Sequence, residues 1–307
     1  MKKLFFLFIT LVPFSCKKKT TVSDTTPEHT LYTPISISVD AYTKVQYGNM
    51  PLIISAPHGG TLNPAGIPDR ACPGITTVTD LNTSSLLLII DSIAKADHHI
   101  QPSWVYTDLS RLKLDENRPI DEATCSNPVI YTFWNNYHNS IDSCIKKLLT
   151  RYPACIFIDL HGHGHAIQRC ELGYLFTATQ LRNPTGLSYN GSSLFNGMSI
   201  FGGKTIQQML TGSTAFGTYL AGAGFPAVPS ATDPAPASGD PYFDGGYNTS
   251  YFTGSIYPKV IGWQIESNYT GLRDNYADRV AYAKAFMNSV ITYFNVNMNM
   301  PASGFGY

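Results

Sequence analysis

The stretch FIDLHGHGH, residues 157–165, joins a short apolar run to three histidines at alternating positions. The whole chain has only 8 histidines, so this is a marked local concentration. The run that leads into it, ACIFIDL at residues 154–160, is rich in Ile and Phe and predicts a buried strand. A metal site, a polar surface loop or a substrate pocket would each account for histidines at the end of such a strand.

Further apolar runs alternate with amphipathic stretches along the chain. Strands rich in Ile, Val and Phe, separated by helices, predict an α/β fold in a single domain. Its central sheet should be largely parallel or mixed, with helices on both faces. The other predicted strands are 51–57, 103–109, 173–178 and 259–267, and the predicted helices are 80–97, 133–152, 204–224 (interrupted by glycines) and 271–294.

The charge balance excludes one large class of partners. Lysine plus arginine equals aspartate plus glutamate, at 21 each, so the formal net charge is zero. A nucleic-acid-binding protein should show a clear basic excess, and none is present. With 43% hydrophobic and 14% charged residues, the composition is typical of a globular protein with a sizeable core.

The N-terminal residues 1–16, MKKLFFLFITLVPFSC, read as a secretory signal rather than as part of the fold. Ser15-Cys16 at its end is similar to a bacterial lipoprotein signal, which is cut before a cysteine that then carries lipid. The alternative is an ordinary cleaved signal with a chance cysteine. The polar residues 17–34 predict a tether, residues 35–296 a single folded domain, and residues 297–307 a tail.

Lipidation of Cys16 would place the protein outside the cytoplasm, anchored to a bacterial membrane on its periplasmic or cell-surface side. Fractionation of cells that express the wild type and the Cys16→Ala variant tests this expectation. The wild type should partition with membranes and the variant should not, because the variant lacks the cysteine that carries the lipid. A single acyl chain binds only marginally, so tight anchoring would require several chains. Identical partitioning of the two would contradict the lipid anchor.

Five cysteines remain beyond residue 16: Cys72, Cys125, Cys144, Cys155 and Cys170. An exported protein can oxidise some of them, and the odd number leaves at least one unpaired within the chain. The sequence does not decide which of them pair. No C-x-x-C motif occurs, so neither a thiolate zinc site nor a redox motif is indicated.

Polar side chains follow several of the predicted strands. His58 follows the first strand, His161 the third, and Glu266 lies in the fifth. Ligands of open α/β sheets bind at the carboxyl ends of the strands, so these side chains are candidates for one site. The chain has no G-x-S-x-G, H-E-x-x-H or P-loop motif. The segment 108–119, DLSRLKLDENRP, follows the second strand and adds Arg111, Asn117 and Arg118.

The blocks SAPHGG, TD (residues 79–80), DLSRLKLDENRP, IDLHGH, PYFDGGY and WQIESNYTGLRDN, in this order, resemble the N-formylglutamate amidohydrolase family. The resemblance runs from about residue 51 to about residue 274. That family is similar to the zinc carboxypeptidases in fold and site, so the resemblance implies a zinc hydrolase with a carboxypeptidase-like fold. This chain has D-L-H-G, ending at Gly162, where the family usually has D-x-H-S.

A catalytic zinc ion takes three protein ligands and leaves a position open. His58 and His161 are the histidine candidates, and the third ligand should be a carboxylate. The resemblance points to Asp80, with Glu171 as the reserve. Asp80 could instead be the N-cap of the predicted helix 80–97, because Asp is favoured at that position.

Glu266 is the candidate general base, a role that the resemblance gives to the glutamate of the QIE block. A structural salt bridge to Arg273 or Arg111 is the alternative. Asn117 and Arg118 resemble the Asn-Arg pair with which zinc carboxypeptidases grip a substrate carboxylate, and Arg111 could assist. The alternative for Arg118 is a salt bridge to a neighbouring acidic residue.

The remaining polar residues of the opening stretch receive weaker roles. Asp159 could orient the imidazole of His161, or it could pair with a surface arginine. His163 and His165 alternate with glycines, so we expect both to leave the strand. His163 could then touch substrate, whereas His165 should lie at the surface.

Two functions remain open at this point. The first is a zinc-dependent amidohydrolase that cleaves an amide bond of a small carboxylate-bearing substrate, either an N-acyl amino acid or a peptide. The second is a lipid-anchored ligand-binding protein whose pocket has lost catalysis. A retained general base favours the first, because a binding module does not need one.

Overall fold

A mixed sheet of 8 strands forms the centre of the protein in the computed structural model, which describes residues 37–305. The predicted signal, the tether and Cys16 lie outside these residues. The strand order is β1-β2-β4-β3-β5-β8-β6-β7, in which β4, β3, β5 and β8 run parallel. The strands are β1 (Ile37–Ser38), β2 (Thr43–Gln46), β3 (Leu52–Ala56), β4 (Ser103–Thr107), β5 (Cys155–His163), β6 (Cys170–Gly173), β7 (Ala227–Val228) and β8 (Val260–Asn268).

Helices cover both faces of the sheet, as predicted, and the fold is α/β. None of the helices in residues 37–305 is long and apolar enough to span a bilayer. The helices are α1 (Thr83–His98), α2 (Ile120–Thr124), α3 (Tyr131–Leu149), α4 (Ala178–Arg182), α5 (Gly197–Ile200), α6 (Ile206–Thr211), α7 (Phe216–Gly222), α8 (Tyr247–Phe252) and α9 (Tyr276–Met298).

The alternation of side chains along β5 divides the core into two layers. Ile156, Ile158 and Leu160 face the layer formed with α1 and α9. Phe157 faces the other layer, which is formed with α3 and α8. Both faces of the strand are therefore buried, which explains why its sequence is almost continuously apolar up to Leu160.

The same alternation brings the polar residues of β5 onto one face. Because side chains point to opposite faces in turn, His161 shares the face of Phe157. In the parallel pair β5–β8, His161 lies opposite Glu266, and in the antiparallel pair β8–β6, Glu266 lies opposite Glu171. Three strands thus place a histidine and two carboxylates in one row across the sheet.

Some element boundaries differ from the sequence predictions. Helix α1 begins at Thr83 rather than at residue 80, and its N-cap residue, Asn82, adopts a left-handed conformation without a side-chain cap. Strand β5 continues through His163. The predicted helix 204–224 is two helices, α6 and α7, separated by the turn after Thr211. At the C-terminal end, α9 extends to Met298 and Phe305 is buried against the core.

One disulfide joins Cys72 to Cys125. It ties the long loop between β3 and α1 to the C-terminal end of α2 across a sequence separation of 53 residues. Cross-linking so distant a pair lowers the conformational entropy of the unfolded chain. Cys144, Cys155 and Cys170 are free and buried.

Candidate active site

His58, Asp80 and His161 meet at the carboxyl end of the central strands. The Nδ1 atom of His161 lies 3.2 Å from Oδ2 of Asp80, and the Nδ1 atom of His58 lies 3.5 Å from the same oxygen. The two rings are 4.7 Å apart between centroids. Two ring nitrogens and one carboxylate oxygen therefore converge on one point, with all three donor atoms within 4.8 Å of one another.

The loop that carries Asp80 is fixed by backbone contacts. The amide of Asp80 donates to the carbonyl of His58 at 2.9 Å, which holds the loop beside β3. The amide of Gly162 donates to Oδ2 of Asp80 at 3.2 Å. The Asp80 side chain thus points to the two histidines, and the alternative role as the N-cap of α1 is wrong.

A buried aspartate lies behind each histidine. Asp115 Oδ1 is 2.7 Å from Nε2 of His58, and Asp159 Oδ2 is 2.8 Å from Nε2 of His161. Nε2 of each ring thus faces its aspartate and Nδ1 faces Asp80. With the ring hydrogen on Nε2, Nδ1 is the nitrogen that can bind a metal ion. Carboxylates that fix the tautomer and orientation of histidine in this way are typical of metal centres. No surface arginine pairs with Asp159 among the described residues, which excludes that alternative.

The carboxylates of this cluster are stabilised in their charged form. Burial alone would raise the pKa of Asp80, but contact with the rings of His161 and His58 holds it well below its usual range. Burial likewise opposes ionisation of Asp115, and the charge and hydrogen bond of His58 together with Arg111 lower its pKa strongly. Arg111 contributes through a 2.9 Å ion pair from its Nε atom to Oδ2 of Asp115.

The donor set fits a metal ion. The Nδ1 atom of His58 is buried and has no hydrogen-bond partner, although a buried ring nitrogen normally has one. Two imidazole nitrogens and one carboxylate oxygen form a ligand set typical of catalytic zinc sites. The His58–Asp80–His161 group can therefore hold a metal ion, and Asp80 rather than Glu171 is its carboxylate.

Glu266 lies beside this cluster, opposite His161 in the register of β5 and β8. It is 6% exposed, and its Oε1 atom accepts a hydrogen bond from Gln264 at 2.8 Å. It forms no salt bridge with Arg273 or Arg111, so that alternative is wrong. Burial, with Asp80 and Glu171 nearby, raises the pKa of Glu266 to about 8, although the charge of His161 opposes the shift. A carboxylate in this environment is a stronger base than one in water.

The three residues of the segment 108–119 have distinct positions. Arg118 lines the pocket, and its Nη1 atom donates to the carbonyl of Asn117 at 2.7 Å rather than to an acidic side chain. Asn117 also lines the pocket: its Oδ1 atom accepts from the backbone amide of Asn248 at 2.8 Å, which fixes the side chain, and its Nδ2 group lies 3.3 Å from Nε2 of His161. Arg111 lines the pocket too, next to Asp115.

The two later histidines differ from the predictions. His163 does not leave the strand: it is the last residue of β5, and it is buried. His165 lies beyond the strand as predicted, but it is not a free surface residue. Its Nδ1 atom is 2.8 Å from Oε1 of Glu171, and its ring stacks on Phe243 with 5.0 Å between centroids. The His165 ring lines the pocket together with Phe243.

Arg273 is a supporting residue whose position the sequence did not reveal. Its guanidinium group donates to three backbone carbonyls, those of Leu81, His163 and Ser267. It therefore joins the Asp80 loop, the end of β5 and the end of β8. A Cβ atom at position 162 would collide with this guanidinium group, which explains why Gly162 follows His161 in this chain.

The pocket above these groups has a volume of about 280 Å³. The His58–Asp80–His161 group lies along one wall and Glu266 beside it. Arg111 and Arg118 supply positive charge, whereas Val78 and Phe243 supply apolar surface; these two side chains are 71% and 46% exposed. A small ligand with an acidic group and an apolar portion matches this lining.

One solved structure supports the assignment of the fold. N-formylglutamate amidohydrolase from Ralstonia eutropha JMP134 superposes with a TM-score of 0.52 over 84% of this chain and 98% of that protein, at 13% sequence identity. The fold is that of N-formylglutamate amidohydrolase. The product Atu2144 from Agrobacterium tumefaciens matches less well, with a TM-score of 0.46 at 12% identity over 82% of this chain and 96% of that one. No family model matches the sequence, and no curated protein does.

Proposed function

We propose that the protein is a zinc-dependent amidohydrolase that cleaves an amide bond of a small carboxylate-bearing substrate. The observation that supports this most directly is the convergence of His58, Asp80 and His161 on one point with Glu266 in the adjacent strand position. The shared fold of N-formylglutamate amidohydrolase is consistent with the proposal. An exported, lipid-anchored enzyme would act on N-acyl amino acids or peptides outside the cytoplasm.

In this proposal His58, Asp80 and His161 hold the zinc ion. Zinc supplies Lewis acidity, which polarises an amide carbonyl and makes water more acidic. Asp115 and Asp159 keep the two imidazoles in the tautomer that presents Nδ1 to the ion.

Glu266 moves the proton. Its Oε1 atom is held by Gln264, so Oε2 is the oxygen that takes a proton from the attacking water. The same carboxyl group then delivers that proton to the leaving amide nitrogen. Burial and the neighbouring Asp80 and Glu171 raise the pKa of Glu266. The group can therefore both accept and release a proton near neutral pH.

Arg118 binds the carboxylate of the substrate. Its guanidinium group can form two parallel hydrogen bonds with a carboxylate, and its Nη1 contact with the Asn117 carbonyl fixes its orientation at the pocket wall. The Oδ1 atom of Asn117 accepts from the backbone amide of Asn248, which leaves its Nδ2 group at the pocket wall to donate to the substrate carboxylate beside Arg118.

The proposal is tested with pairs of N-acyl amino acids and short peptides, each as the free acid and as the carboxamide. Release of the amine should require zinc, stop after chelation and return on reloading. Free acids should be preferred, and Arg118→Ala should raise KM for them by roughly 10- to 100-fold with little change in kcat. Lys284→Ala, which removes an exposed cation elsewhere, is the matched control.

Two results would count against the proposal. Binding of a free acid without cleavage, in protein that is loaded with zinc, would favour the non-catalytic binding protein instead. Equal KM values of the wild type and Arg118→Ala for the free acids would show that Arg118 does not bind the substrate carboxylate.

A further inference from the structure

A second group of donor atoms lies at the wall of the same pocket: His163 and His165 line the pocket, and Glu171 is buried beside His165. Each offers one nitrogen or oxygen atom, and these atoms lie within 4.8 Å of one another. The closest pair is Nδ1 of His165 and Oε1 of Glu171, at 2.8 Å. This group does not overlap the His58–Asp80–His161 group.

Backbone contacts fix the orientation of two of the three donors, His163 and Glu171. The Nε2 atom of His163 donates to the carbonyl of Arg169 at 2.8 Å, so its Nδ1 atom carries the lone pair. The Oε2 atom of Glu171 accepts from the amide of Phe243 at 2.8 Å, which leaves Oε1 to face His165. Backbone groups thus orient these side chains, as Asp115 and Asp159 orient the histidines of the first group.

The charges favour a cation at this position. Glu171 is fully buried, and it lies opposite a second buried carboxylate, Glu266, in the register of β6 and β8. Within residues 37–305 no Lys or Arg forms an ion pair with Glu171, and its ion-pair partner is the ring of His165. Burial of two facing carboxylates is costly unless positive charge compensates them.

We propose that His163, His165 and Glu171 form a second metal site, specific for a transition-metal ion of the zinc type. Two imidazoles and one carboxylate suit zinc and similar ions, whereas calcium and magnesium prefer all-oxygen ligands. Metal binding would require the Nε2–H tautomer of His165: the Nδ1 hydrogen that faces Glu171 would be lost to solvent and Nε2 would take one up, so the ring stays neutral. The ion would also displace the 3.1 Å hydrogen bond from the His165 amide to Nδ1 of His163. The adjacent Gly164 leaves open space for this adjustment.

The second site is separate from the first and binds more weakly. His161 and His163 lie two residues apart on one face of β5, which separates them by roughly 7 Å. The two groups share no ligand. The binding is weaker because His165 is 21% exposed and two existing hydrogen bonds are lost. The site lies beside Phe243 at the pocket wall, so its occupancy should alter access to the pocket.

Zinc titration of the purified, metal-stripped chain tests this proposal, with bound zinc measured by elemental analysis after equilibrium dialysis. In excess zinc the wild type should bind about two equivalents, whereas His165→Ala and Glu171→Gln should each bind one. Glu171→Gln keeps the shape of the side chain and an acceptor for the Phe243 amide. The matched control is His99→Asn, which removes an exposed histidine at a left-handed position that Asn tolerates.

The outcomes separate this proposal from the first metal site. If the wild type binds no more than one equivalent of zinc, and His58→Ala loses that equivalent, the second site is overturned and the proposed function is left intact. Two equivalents in both His165→Ala and Glu171→Gln also overturn it. An equivalent that persists in His58→Ala but is lost in His165→Ala supports the second site whatever the fate of the first. Thermal melts confirm that each variant is folded before its zinc content is compared.

Discussion

Glu266→Gln should lower turnover on a cleavable substrate by a factor of roughly 10² to 10⁴ while zinc binding stays at the wild-type level. Glutamine has the shape of glutamate and can still contact Gln264, so the packing of β8 should be preserved. It cannot accept a proton from water, however, and the step that depends on this transfer should fail. The measurement is kcat on a free-acid substrate, together with the zinc content of the same preparation.

The matched control is Glu122→Gln, which makes the same chemical change at an exposed position in α2. Its kcat should remain near that of the wild type. If Glu266→Gln also retains near-wild-type turnover, Glu266 is not the base, even where the zinc is present. A loss of both zinc and activity would instead show that Glu266 supports the metal group.

His58→Ala and His161→Ala should each lose the zinc that survives dialysis, which is about one equivalent in the wild type. Each variant deletes one of three ligands and leaves a buried aspartate, Asp115 or Asp159, without its imidazole partner. Zinc affinity should fall by more than about 100-fold, beyond the effect of changing a supporting residue. Elemental analysis after dialysis without added zinc measures the tight site alone.

A graded comparison makes this test sharper. Asp159→Asn keeps every ligand but weakens the group that orients His161, so zinc affinity should fall by about 10- to 100-fold, less than in His161→Ala. His99→Asn again removes a histidine outside the pocket and should retain the wild-type zinc content. Full zinc retention in both His58→Ala and His161→Ala would exclude this group as the metal site.

Strand β5, helix α3 and the two candidate histidines could be predicted from the sequence, because each depends on a pattern within a short segment. The apolar run 154–160 marks β5 since a strand buried on both faces must be apolar throughout. The amphipathic pattern of residues 133–152 marks α3 for a similar reason. The positions of His58 and His161 near the carboxyl ends of such strands make them candidates for one site, because the carboxyl ends of parallel strands meet at one edge of the sheet.

The partners of each candidate depended on tertiary structure. The sequence left both Asp80 and Glu171 open as the carboxylate of the first group. Only the path of the loop between β3 and α1, held by the His58 carbonyl, brings Asp80 to the two histidines. The register of β6 against β8 instead directs Glu171 toward Glu266 and His165. Neither the loop path nor the pairing of non-adjacent strands is encoded in a local pattern.

The opening stretch shows the same division. Its composition determines a buried strand that ends in histidines, and alternation determines that His161 and His163 share one face. It does not determine that a carbonyl at Arg169 caps the ring of His163, or that Arg273 packs against Gly162 and leaves no room for a side chain. The contact between His163 and Arg169 spans 6 residues of sequence, whereas the contacts of Arg273 with the end of β5 span more than 100. Only tertiary packing determines contacts between segments so far apart in sequence.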